Sequence, residues 1–193
     1  RGGAICTAPF FMLLENMIVN REFNRKFKKD YFFIQGILEI DCKYFIEKIK
    51  ESCVSENNNN YTTNIKGLMT PFEFFKKDEK FLKQVSLPLI NYIDENYDLR
   101  NYHLFNAWGF ELKPGGKTTF HDHHASLWSG VVYLNDCKQP LEFPEIKQEC
   151  KPQKGAFCVF NSFLLHGCRK NQDNISKFGM SFNFNETTNN SWL

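Results

Sequence analysis

Phe120-His121-Asp122-His123-His124, with Ser129-Gly130-Val131-Val132-Tyr133-Leu134 close behind it, is the stretch on which the reading of this chain turns. The chain has five histidines; His121, His123 and His124 lie here, His103 stands before them and His166 far downstream. Alternate residues of a β-strand project to one face, so His121 and His123 share a face if the segment is extended. His166 follows the apolar runs Ala156 to Phe160 and Phe163-Leu164-Leu165 and would close the site from a second strand. A mononuclear iron that must also bind a cosubstrate and dioxygen takes three protein ligands on one face, usually two histidines and a carboxylate. Asp122 and His124 form the other same-face pair, and with His166 they would supply that carboxylate. Spacing alone leaves both registers open.

Composition narrows the field. A chain of 193 residues suffices for one domain with a sizeable core. Lysine and arginine number 24 against 22 acids, with no long basic run and no glycine-rich phosphate loop, so neither nucleic acid nor nucleotide is expected as a partner. The seven cysteines (Cys6, Cys42, Cys53, Cys137, Cys150, Cys158 and Cys168) include no CxxC pair, which argues against a disulfide framework and a zinc module and fits reduced thiols in a cytoplasm. The apolar stretch from Ala4 to Leu14 is interrupted by Thr7 and Pro9 and is too short to span a bilayer, so no membrane association is expected. Residues 1–30 are read as an amino-terminal extension, in part a remnant of cloning. Residues 31–193 are read as a single domain, with a helical buttress over 31–100 and a jelly-roll core over 101–185.

Within the buttress, Cys42, Phe45, Ile46, Ile49 and Cys53 fall at helical spacing behind Asp41. Ser55 to Asn64, with Asn57-Asn58-Asn59-Asn60, reads as a polar loop. Asp78 caps a predicted helix carrying Phe81, Leu82 and Val85, and Pro88 opens another carrying Leu89, Ile90 and Ile93. After Arg100 come strand-like runs: Phe105 to Leu112, Trp128 to Leu134, Ala156 to Phe160 and Phe178 to Phe184. Lys113-Pro114-Gly115-Gly116, Asn135-Asp136 and Lys154-Gly155 mark the turns. Helices followed by strands predict an α+β protein: a double-stranded β-helix, or cupin-like jelly roll, with supporting amino-terminal helices.

These residues resemble the 2-oxoglutarate- and iron(II)-dependent dioxygenase superfamily, in particular prolyl-hydroxylase-like oxygenases of marine bacteria and phages. The resemblance runs from about Asn106 to Asn185 and is carried by His121-x-His123, the Ser129 to Leu134 strand, Gly155 before an apolar strand, His166, and Ser181-Phe182-Asn183. It implies Fe(II) held by His121, His123 and His166, favouring that register over the one with Asp122. It also implies 2-oxoglutarate chelating the metal as cosubstrate, with dioxygen. Relatives usually meet the distal carboxylate of 2-oxoglutarate with an arginine; Lys177 occupies the matching place, keeping the charge but not the two-pronged geometry. Tyr133 stands where related prolyl hydroxylases direct a phenol at the same carboxylate.

The implied activity is hydroxylation of an unactivated C–H bond in a peptide side chain or small metabolite, with release of succinate and CO2. Two other readings remain: a three-histidine cupin dioxygenase that uses no 2-oxoglutarate, and a non-catalytic jelly-roll binding module. Arg169 and Lys170 could replace Lys177 if their loop folds inward but read better as a solvated loop, Lys113 could contact substrate or cosubstrate but reads better as a turn residue, Trp108 and Trp128 could line the substrate cavity but read better as core, and His103 is read as structural.

Overall fold

The computed structural model describes residues 17–26, 30–53, 64–97 and 102–187. The apolar stretch from Ala4 to Leu14 and the asparagine-rich loop at 57–60 lie outside these residues.

Two antiparallel sheets face one another. The larger runs β1-β2-β10-β7-β12-β5-β4 and the smaller β3-β6-β11-β8-β9. In chain order the strands are β1 (Met17–Lys26), β2 (Asp30–Leu38), β3 (Ile65–Lys66), β4 (Leu68–Met69), β5 (Tyr102–Leu112), β6 (Lys117–His121), β7 (Trp128–Tyr133), β8 (Leu141–Phe143), β9 (Gln148–Cys150), β10 (Ala156–Asn161), β11 (His166–Cys168) and β12 (Lys177–Glu186). The helices are α1 (Cys42–Ser52), a single turn α2 (Glu79–Phe81), a π-helical segment (Leu82–Ser86) and α3 (Leu87–Tyr97).

The larger sheet is apolar on both faces because it is covered on both. Toward the helices it presents Ile34, Ala107, Val132, Phe157, Met180 and Phe182, packed on Phe45 and Ile49 of α1 and on Phe81, Val85 and Leu89. Toward the smaller sheet it presents Phe33, Trp108, Phe110, Val131, Tyr133, Cys158 and Phe160. Phenylalanine supplies much of the mass, with Phe33, Phe45, Phe75, Phe81, Phe157 and Phe182 all at 0% exposure. Each such burial is worth about 1.5–3 kcal/mol before conformational entropy is set against it.

The jelly roll and helical layer follow the sequence reading, with two differences. The first concerns residues 17–38, read as an extension leading into a helical buttress. Met17–Lys26 pairs with Asp30–Leu38, and β2 pairs in turn with β10, so this hairpin extends the larger sheet. Being covered on both faces, β2 alternates no polar residues and so lacks the strand periodicity that sequence reading looks for. The second is at Pro88. Pro88 does fall in the first turn of α3, as the sequence predicts, but α2, the π-helical segment and α3 follow one another without a break from Glu79 to Tyr97. Proline has no N–H to give and its ring crowds the carbonyl four residues earlier; the widened turns over Leu82–Ser86 relieve that conflict.

Asp41 caps α1 by accepting from Tyr44 N, and Asp78 caps the second helix by accepting from Phe81 N, the latter as the sequence predicts. Gly155 sits in the left-handed region at φ +81, and a Cβ there would lie 2.2 Å from Leu38 O. Gly155→Ala is therefore expected to cost at least about 2 kcal/mol from the left-handed penalty and displaced backbone together. Thermal denaturation checks this: the midpoint should fall by several degrees, and an unchanged midpoint would contradict the turn geometry.

Candidate metal centre

β6 and β11 are antiparallel neighbours with His166 opposite His121, which sets the two imidazoles side by side at a ring-centroid distance of 4.5 Å. His123 lies just past the end of β6, where its N–H donates to Ser162 O. Its ring is 4.9 Å from that of His121 and 5.0 Å from that of His166. One nitrogen from each of the three falls within 4.8 Å of the others.

The outer ring nitrogens explain the convergence. His121 Nδ1 is 2.7 Å from Thr119 O and His166 Nδ1 is 2.8 Å from Leu164 O. A carbonyl only accepts, so both Nδ1 atoms carry the proton. His123 Nδ1 donates to Ser129 Oγ at 2.8 Å and Asn183 Oδ1 at 2.9 Å. Each Nε2 is thus left with a lone pair. His121 Nε2 and His123 Nε2 stand 2.9 Å apart, close to the roughly 3 Å between adjacent nitrogens around an ion at about 2.1 Å. Lone pairs this close repel unless a positive charge lies between them. With every outer nitrogen already fixed by an acceptor, the donor set fits a divalent metal ion.

Around His123 the support is a neutral network. Ser129 donates to Asn183 Oδ1 at 2.6 Å, Ser162 lies 2.8 Å from Ser129, and Asn183 Nδ2 donates to Asn106 Oδ1 at 2.8 Å. Ser129, Ser162 and Asn183 are buried. None of the three was singled out for this role from sequence. Asn183 was visible only as the end of Ser181-Phe182-Asn183.

Asp122 and His124 do not join the cluster. They turn outward and pair with each other, His124 Nε2 lying 3.2 Å from Asp122 Oδ2. His103 is exposed beside Thr187. The other sequence candidates divide cleanly. Arg169 is exposed and pairs with Glu142 at 3.1 Å, and Lys170 and Lys113 are exposed. Lys177, first residue of β12, is 1% exposed and lines the cavity that holds the three histidines, as does Tyr133. Its Nζ donates to Gln139 O at 3.2 Å, contacts Cys168 Sγ at 3.5 Å and lies 5.5 Å from the centre of the Tyr133 ring. No salt bridge joins it to a carboxylate of the described residues, and burial lowers its pKa from the ordinary lysine value. Trp128 is core, stacked on Phe32 at 5.0 Å. Trp108, read as core too, is buried between the two sheets and also lines the histidine cavity.

Burial lowers the pKa of all three histidines. For His166 it does so to about 3, with His121 beside it adding to the effect. A histidine whose folded pKa lies below its unfolded value takes up its proton mainly on unfolding. The metal-free protein should therefore keep its full stability above about pH 6.5 and lose it as the pH falls toward 3, by up to about 1.4 kcal/mol per pH unit for each such proton. Urea midpoints measured across that range check this, and a flat profile would contradict the buried neutral imidazoles. Asn183→Ala, which removes one of the two acceptors of His123 Nδ1, should weaken divalent-metal binding by about 10–100-fold in direct titration.

No protein-family model matches the chain, and no curated protein sequence does. Solved structures do. The viral collagen prolyl hydroxylase of Paramecium Bursaria Chlorella virus-1, in complex with 2-oxoglutarate, superposes with a TM-score of 0.60 at 18% identity, over 80% of this chain and 94% of the other. A Pseudomonas putida prolyl-4-hydroxylase gives 0.57 at 15% identity over 80% and 92%. HygX from Streptomyces hygroscopicus, with nickel and 2-oxoglutarate bound, gives 0.59 at 11% identity over 84% and 85%. At these identities the likeness is one of fold: the chain has the double-stranded β-helix of the 2-oxoglutarate/Fe(II) oxygenases.

Proposed function

We propose that the chain is a 2-oxoglutarate- and Fe(II)-dependent oxygenase that hydroxylates an unactivated C–H bond and releases succinate and CO2. The observation that carries this reading is the pairing, in one cavity, of three converging imidazoles with a buried lysine that lacks a carboxylate partner among the described residues. A buried unpaired cation is costly, and a dicarboxylate reaching from the histidines to Lys177 offsets that cost.

In this reading His121, His123 and His166 hold the iron through Nε2. The iron, when bound, supplies the dioxygen chemistry and a chelation point for 2-oxoglutarate. Thr119 O, Leu164 O and Asn183 Oδ1 keep the three rings in the tautomer that presents a lone pair. Lys177 takes the distal carboxylate, and the Tyr133 hydroxyl donates to the same group. Phe110, Leu112, Val131, Leu141 and Phe160 wall the cavity with carbon, excluding water and strengthening the Lys177 interaction. The six described cysteines are free thiols, which supports a reducing, cytoplasmic setting.

One observation favours a second reading. The cluster contains no carboxylate, as in a three-histidine dioxygenase that dispenses with 2-oxoglutarate. Anaerobic titration of the Fe(II)-loaded protein with 2-oxoglutarate separates the two. Chelation should give a saturable, weak visible charge-transfer band. Lys177→Ala should weaken the binding at least about tenfold, a charge-assisted hydrogen bond being worth about 1.5–3 kcal/mol. Bound iron without a band would turn the assignment to the three-histidine dioxygenase, and failure to bind iron would leave a non-catalytic binding module.

A further inference from the structure

The cavity that holds the three histidines and Lys177 also carries a thiol. β11 runs His166-Gly167-Cys168, and alternate residues of a strand share a face, so the side chain of Cys168 follows that of His166 into the space between the sheets. The other face of β11 is closed at Gly167, where a Cβ would fall 2.9 Å from Phe120 Cα. Cys168 pairs across the ladder with Thr118 of β6, and both line the cavity together with Lys177 and Tyr133.

Cys168 Sγ lies 3.5 Å from Lys177 Nζ, and the two residues are 3% and 1% exposed. An ammonium has three N–H groups to place. Among the described residues one oxygen, Gln139 O, accepts from Lys177. Beyond it the ammonium touches the sulfur of Cys168, a weak acceptor. An oxygen atom added to that sulfur would give Lys177 the strong acceptor it lacks. The other described cysteines are placed differently. None of them lines this cavity, and Cys137 Sγ donates to a carboxylate, Asp173 Oδ2, at 3.1 Å. Burial pushes the thiols of Cys42, Cys53, Cys137 and Cys158 up, which leaves them poorly reactive.

We propose that Cys168 is an oxidation site for hydrogen peroxide, and that the oxygen it gains closes the cavity to 2-oxoglutarate; the closure rests on the oxygenase reading above. The sulfur attacks one peroxide oxygen, the O–O bond breaks and an S–O bond forms, so that Cys–SH and H2O2 give Cys–SOH and H2O. Sulfur is oxidised by two electrons, the peroxide is reduced by two, and the departing hydroxide takes the thiol proton. Negative charge develops on that departing oxygen, beside the Lys177 ammonium, which stabilises it. Peroxide is small and neutral, so carbon walls do not bar it. The oxygen left on sulfur accepts from Lys177 Nζ and occupies the cation that the distal carboxylate needs. A thiol reductant reverses the step, its own thiols ending as a disulfide and the oxygen as water.

The test begins with metal-free protein, so that iron does not consume the oxidant. It is treated briefly with hydrogen peroxide, freed of it, and one portion is unfolded in dimedone, which captures sulfenic acids. Peptide mass spectrometry should find the adduct at Cys168 ahead of every other cysteine. A second portion is loaded with Fe(II) without air and titrated with 2-oxoglutarate. The charge-transfer band should then need at least about tenfold more cosubstrate than before treatment, the loss of one charge-assisted hydrogen bond, and dithiothreitol should restore the original midpoint. In Cys168→Ala and Cys168→Ser, whose bands before treatment report that they are folded, peroxide should leave the midpoint where it was. Adducts at other cysteines with Cys168 unmodified overturn the site. Modified Cys168 with unweakened binding overturns the closure, as does an equal loss of binding in the two variants. A band absent from untreated protein instead marks failure of the oxygenase reading, and the mass measurement still decides whether Cys168 is the oxidation site.

Discussion

The register of β12 is the constraint on which the rest of the site depends. Along this strand Phe178, Met180, Phe182 and Phe184 enter the core beneath the helices, while Lys177, Ser181 and Asn183 line the cavities on the other face. One strand therefore spans the site from Lys177 to the acceptor of His123. Its ladders with β5 and β7 hold it on both edges. A slip of one residue would send four apolar side chains into the cavity and the polar ones into the core. The packing of these side chains beneath the helices, Phe182 against Phe81 of α2 at 6.0 Å among it, is thus what keeps Lys177 buried and Asn183 in place, and the fold and the site share one set of contacts.

Much of this was legible because the signals are local. The alternate spacing of His121 and His123, and the apolar run leading to His166, are enough to suggest three imidazoles on one face. Strands β5, β7, β10 and β12 announce themselves by apolar runs between turn residues, and the second helix by Asp78 ahead of a helical pattern. Lys177 needed more than spacing. Only the resemblance to known oxygenases set it apart from Arg169 and Lys170, which are nearer to His166 in sequence but reach solvent.

What was not legible depends on partners distant in sequence. The acceptor network of His123 joins Ser129, Ser162, Asn183 and Asn106 from different strands and loops, and nothing in the neighbourhood of any one of them reveals it. Trp108 looks like any core tryptophan until its indole nitrogen is seen to lack an acceptor. The β1–β2 hairpin was missed for a related reason: a strand covered on both faces loses its alternation.

A face of three neutral imidazoles brings no charge of its own to the choice of ion. Nitrogen donors of this kind rank divalent metals by the Irving–Williams order, in which iron(II) stands below cobalt, nickel and copper. Without a carboxylate at the position of His123, the polypeptide has little means of reversing that ranking. Occupancy would then be decided outside the protein, by which ion the cell leaves free when the chain folds, so metal supply, more than affinity, would set which ion the three imidazoles hold.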